Sequence, residues 1–97
     1  MANQYPSHHW NPSKVKRRYA IFYYHLVGDY SRQDTAGSTN NLARAIGHAV
    51  MHCAMSELIE GEYAQALVID RKQNALVRSY RRSAGGSIQV KVFNANP

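Results

Sequence analysis

The chain has 97 residues, 44% of them hydrophobic, and twelve Lys and Arg face six Asp and Glu for a formal charge of +6. This length sets a single domain with one modest core and excludes a deep enclosed site, because a chain of this size buries roughly two-thirds of the surface its unfolded form exposes. The ordinary apolar content excludes disorder of the whole chain, and the cationic excess, which also serves solubility, favours anionic partners such as nucleic acid, an acidic protein face or an anionic membrane surface.

Residues 1–13 (MANQYPSHHWNPS) are polar and carry Pro6 and Pro12. They predict a flexible, irregular arm ahead of one α+β domain over residues 14–97. Trp10 stands out in the arm, because its ring calls for burial either on the domain or on a partner. The arm lacks the apolar run of a secretory signal, and no apolar stretch is long enough to span a bilayer. Cys53 is the single cysteine, so no intramolecular disulfide forms. These features predict a cytoplasmic protein in a reducing compartment, with no membrane partner.

Lys14, Lys16, Arg17 and Arg18 lead into a first strand, residues 19–27 (YAIFYYHLV), rich in aromatic and β-branched residues. Both of its faces are apolar, which predicts an interior strand. Residues 28–37 (GDYSRQDTAG) read as a loop, and Ser38, Thr39 or Asn40 offers an N-cap. A helix is expected over residues 41–60. Leu42, Ile46, Ala49, Val50 and Cys53 form its apolar stripe, and Met51, Met55, Leu58 and Ile59 widen it. Arg44, His48, His52 and Ser56 form a polar ridge at four-residue spacing. Gly61 is placed to end the helix in a left-handed conformation. Residues 63–69 and 75–82 predict a hairpin around the turn 70–74, and residues 88–93 a last strand after the turn 83–87. The expected fold is therefore β-α-β-β-β: one amphipathic helix on a mainly antiparallel four-stranded sheet.

Catalytic constellations are sparse. His48 and His52 have the spacing of two ligands to one metal, but HAVMH lacks the glutamate of a zinc protease, and a complete site needs further ligands. Cys53 lies about a hundred degrees round the helix from His52, on the buried side, and two ligands alone make a weak site, so solvated imidazoles, free to touch a partner, are expected, with at most incidental transition-metal binding. Cys53 falls on the apolar stripe and reads as a packed core thiol. No nucleophile elbow, phosphate loop or dinucleotide fingerprint is present. Neither catalysis, a cofactor nor a resident metal is expected. Glu57, Glu60 and Glu62 gather at the expected helix C-terminus, where negative charge opposes the macrodipole. Either the penalty is tolerated in solvent, or an arginine from a neighbouring strand or a basic partner offsets it.

Basic and aromatic residues interleave on the later strands. Arg78, Tyr80 and Arg82 alternate along one strand, Lys91 lies on the next, and Arg71 and Lys72 sit in the hairpin turn. A helix covering one sheet face would leave Arg78, Tyr80, Arg82, Lys91 and Tyr23 on a bare face, joined by the run Lys14 to Arg18. Guanidinium forks bind phosphate or carboxylate, and phenols stack on bases or fill partner pockets. The alternative is a solvated face with snorkelling arginines.

The central-strand signature of RNA-binding sheets of the RRM type is absent, since residues 75–82 contain no glycine. Residues 41–93, with the helix ending at Gly61 and the hairpin 66–82 (ALVIDRKQNALVRSYRR), resemble in architecture the small phage and mobile-element proteins of the anti-CRISPR type. The resemblance implies a stoichiometric inhibitor that docks on a nucleic-acid-processing protein complex. The residues themselves also allow a direct DNA- or RNA-binding protein, or a small metal-binding domain using His48 and His52. A homodimer through the last strand's edge is a further expectation.

Overall fold

The computed structural model describes residues 17–28 and 30–93. The expected arm, Trp10, Lys14 and Lys16 lie outside them. The elements run β1 (Tyr19–Val27), β2 (Tyr30–Thr39), α1 (Leu42–Met55), β3 (Glu62–Asp70), β4 (Ala75–Ser83) and β5 (Gln89–Val92). All pairings are antiparallel, in the order β2-β1-β3-β4-β5. Among the described residues the class is α+β with one helix, as expected. The sheet there, however, has five strands, and most of the segment read as a loop belongs to β2. Val27 pairs with Tyr30 across a two-residue connection, and Gly28 takes φ +58 at its first position, a conformation glycine adopts at no steric cost.

Both faces of β1 are buried. On the helix side Tyr19 and Ile21 join Ala45, Ala49 and Cys53 of α1, Ala64, Ala66 and Val68 of β3, and Val77 and Tyr80 of β4. Small residues on α1 and β3 let the helix lie close over the centre of the sheet. On the opposite side Ala20, Phe22 and Tyr24 pack with Leu67, Ile69 and Leu76, flanked by Leu26 and Phe93. Ile21, Phe22, Val68 and Ile69 are almost wholly buried, each contributing roughly 2 kcal/mol of transfer free energy. The face away from the helix is thus a second apolar core, not a bare basic surface. It is concave: Ser31 of β2 and Lys91 of β5, from opposite edges of the sheet, line one hollow of about 400 Å³ with Tyr24, Leu67 and Leu76. Register shifts interrupt the β1–β2 and β3–β4 ladders, and such irregularities bend a strand locally.

The helix also ends early. Asn41, rather than one of the three residues before it, is the N-cap, its side chain accepting from the Arg44 amide at 3.0 Å. The last helical residue is Met55. Ser56 closes the helix by donating its hydroxyl to the His52 carbonyl at 2.6 Å, and its amide donates to the same oxygen. Gly61 does take φ +89, but in the turn entering β3, six residues past the helix end. Of the expected stripe, Ala49 and Cys53 are buried and Leu42, Ile46, Val50 and Leu58 are partly so, while Met51, Met55 and Ile59 are exposed.

Candidate nucleic-acid interface

The expected contact face is not assembled. Residues directly opposite in an antiparallel pair project to the same side. Arg78, Tyr80 and Arg82 oppose Val68, Ala66 and Ala64, so all three lie on the helix side of the sheet. A one-residue bulge explains the placement. Val77 is the extra residue of β4 opposite Val68 and Ile69, so Leu76 points to the far face while Val77, Arg78 and Tyr80 point to the helix. Tyr80 is 3% exposed and belongs to the core. Tyr23 is half-buried on the helix side, its ring 4.9 Å from that of His52. Arg78 donates to the Val77 carbonyl at 2.9 Å. Of the proposed face only Lys91, which opposes Ser79, points away from the helix.

Arg82 has a structural task. Its Nε donates to the Cys53 carbonyl at 2.7 Å and its Nη2 to the Ser56 carbonyl at 2.5 Å. One guanidinium thereby satisfies carbonyls at the C-terminus of α1 and sets positive charge where the macrodipole is negative. A strand-borne arginine was one alternative for this helix end, and Arg82 bonds its carbonyls rather than the nearby glutamates. Cys53 is buried beside it, its thiol pushed up to about 11, first by burial; such a thiol is protonated and inert at neutral pH.

Cationic side chains gather instead at the opposite end of the helix. The β1 start, the β2 end, the N-terminus of α1 and the β3–β4 turn meet there. Backbone and side-chain bonds fix the junction. The Arg18 amide donates to Asn40 Oδ1 at 2.8 Å, and the Arg71 amide donates to the Arg18 carbonyl at 2.7 Å. Arg18 grips Asp70 with two parallel bonds of 2.9 and 2.8 Å, and the Lys72 amide adds a third at 3.0 Å. The Arg18 guanidinium holds the buried Asp70 carboxyl below the ordinary carboxylate range. Arg18 is therefore neutralised internally, and Arg71 donates from Nη1 to the Arg17 carbonyl at 2.9 Å. Arg17, Arg44 and Lys72 are exposed.

These cations rim two adjoining hollows that share Asn40. One, of about 400 Å³, is lined by Ser38, Thr39, Asn41, Arg44, Arg17 and His48. The other, of about 370 Å³, is lined by Arg18, Arg71 and Lys72. Arg44 was not among the sequence-predicted binding residues, yet it carried a signal. It lies in the first turn of α1, a turn with no acidic residue. A cation there opposes the helix dipole by a few tenths of a kcal/mol, whereas an anion bound beside it would reverse the sign.

Among the described residues no three His, Cys, Asp or Glu side chains come together, and no helix is long and apolar enough to cross a membrane. No family model, curated protein or solved structure matches the chain.

Proposed function

We propose that the chain is a non-enzymatic binding protein that holds the phosphate backbone of nucleic acid at its basic end. The observation that carries this reading is the convergence of Arg17, Arg44 and Lys72 around a helix N-terminus where the nearby carboxylate, Asp70, is already taken by Arg18. Guanidinium, ammonium, hydroxyl and amide donors, with no aromatic among the described residues lining either hollow and Tyr19 buried against Arg18, suit phosphate and sugar contacts more than base readout, so binding with little sequence preference follows. A cytoplasmic setting fits the single buried thiol.

A second reading has its own support. The far end of the molecule exposes Val27, Tyr30, Ile59, Glu57 and Glu60, while Glu62 there is half-buried against His25 and accepts from the Ile59 amide. Apolar side chains rimmed by charge suit protein docking. An inhibitor of the anti-CRISPR type, seated on a nucleic-acid-processing complex, would use that end.

Fluorescence anisotropy with a short duplex DNA separates the two. Contact through the basic end predicts that log Kobs falls against log[salt] with a slope of about −2 to −3, one phosphate per exposed cation. Arg44→Glu with Lys72→Glu then abolishes binding. Unchanged affinity in that double variant sinks the first reading and leaves the second.

A further inference from the structure

One stripe of α1 lies outside the core and meets the basic end only at His48. His48, Met51, His52 and Met55 fall within an arc of about 100° on the helix surface, because their spacing is three, one and three residues. With Tyr23 and Ser56 they line a groove of about 440 Å³ between the helix and β1. The methionines are not packing residues: Met51 is 59% exposed and Met55 73%. We propose that this groove is a binding site for a monovalent soft metal ion, Cu(I), held by the His48 and His52 imidazoles and the Met51 thioether, with Met55 as a further thioether ligand.

The ligand chemistry selects the ion. No carboxylate lines the groove, which disfavours Mg²⁺ and Ca²⁺. Two imidazoles alone are too few for a stable zinc site, and the neighbouring side chains are thioethers, weak ligands for Zn²⁺. Thioether and imidazole together favour Cu(I). Arg44, one helical turn from His48, also opposes a divalent ion about twice as strongly as a monovalent one, since Coulomb repulsion scales with charge.

The hydrogen bonding of His52 is that of a metal-ready imidazole. Its Nε2 lies 3.2 Å from the Tyr24 carbonyl oxygen. A carbonyl only accepts, so Nε2 carries the proton and neutral His52 keeps its lone pair on Nδ1. Metal-bound histidines commonly donate their other ring N–H to a backbone carbonyl in this way, which fixes ring and tautomer. The Tyr23 ring, 4.9 Å away, further restricts the imidazole. The metal would bind at the open groove without disturbing the core residues Ala45, Ala49 and Cys53 on another face of the helix.

The test is anaerobic competition of the full chain for Cu(I) against a chromogenic chelator, with Zn²⁺ run in parallel. The expected result is withdrawal of one equivalent of Cu(I) and no retained Zn²⁺. Met51→Leu with Met55→Leu, which keeps side-chain volume at exposed positions, should weaken uptake by more than the roughly tenfold that losing a ligand's outer hydrogen-bond partner costs. His48→Ala should do the same, and Cys53→Ala should retain uptake. Circular dichroism confirms folding of each variant. Absence of Cu(I) uptake overturns the site. So does uptake that survives the double leucine variant, which shows that the thioethers are not ligands.

Discussion

The two ends of α1 place the same residue type in opposite roles. At the C-terminal end Arg82 reaches up from β4 and donates to the Cys53 and Ser56 carbonyls, so its charge is committed to the fold. At the N-terminal end Arg44 stands exposed in the first turn, beside Arg17 and Lys72, where it opposes the dipole. The lesson concerns availability. A guanidinium is free to grip a partner only where no internal acceptor lies within its reach, and strand alternation carries no information about such acceptors. The same logic separates Arg18, closed on Asp70, from Arg17, its exposed neighbour.

The comparison can be broken from either end. The largest effect belongs to Tyr80→Ala, which removes a core side chain beneath the helix and should cost about 3 kcal/mol or more in denaturant unfolding. If Tyr80 instead served an exposed face, the loss would stay within about 0.5 kcal/mol. Arg82→Met keeps the aliphatic stem but strips two charge-assisted bonds from the helix end. It should cost about 2 kcal/mol while leaving affinity for duplex DNA unchanged. A variant that keeps its stability but loses binding would restore Arg82 to the interface.

Smaller still is the acid response of the basic end. The Asp70 carboxyl is held below its ordinary value of 3.8, chiefly by the bond from Arg18. Its contribution to stability is therefore complete above the unfolded value and is lost as pH falls through the lowered folded value. The stability gap between the wild type and Asp70→Asn should be constant near neutrality and close below about pH 4. A gap that widens on acidification would contradict the ion pair. The smallest effect on stability, within about 0.5 kcal/mol, is expected for Arg44→Glu with Lys72→Glu, the variant that should remove nucleic-acid binding.

Much of the fold was legible in the residues. The aromatic and β-branched run of β1 announced an interior strand, and β3, β4 and the start of the amphipathic helix fell close to their expected bounds. β2 was missed because an edge strand with one neighbour needs no apolar alternation, and YSRQDTAGST offers none. Its signal lay in the turn, where Gly-Asp between Val27 and Tyr30 is a two-residue hairpin pattern. The helix end was misplaced because side chains from Ser56 and Arg82, rather than Gly61, take its final carbonyls.

The site was legible in composition and not in position. The cationic excess was plain, and Arg17, Arg71 and Lys72 do reach the basic end. The reversal of Arg78, Tyr80 and Arg82 came from one bulged residue, Val77, which exchanges the two faces of a strand. Alternation cannot reveal such a shift, although two apolar neighbours, Leu76 and Val77, in a strand otherwise polar on one side are compatible with it. Arg44 was passed over because an arginine on a solvated helix ridge is ordinary; its first-turn position is what distinguishes it.

The most direct test follows backbone amide resonances while a short duplex DNA is titrated in. The account predicts shifts confined to residues 17–18, 38–44 and 71–72, the segments that meet at the helix N-terminus. Shifts centred on Arg81 and Lys91, on the face away from the helix, with the basic end silent, would contradict it.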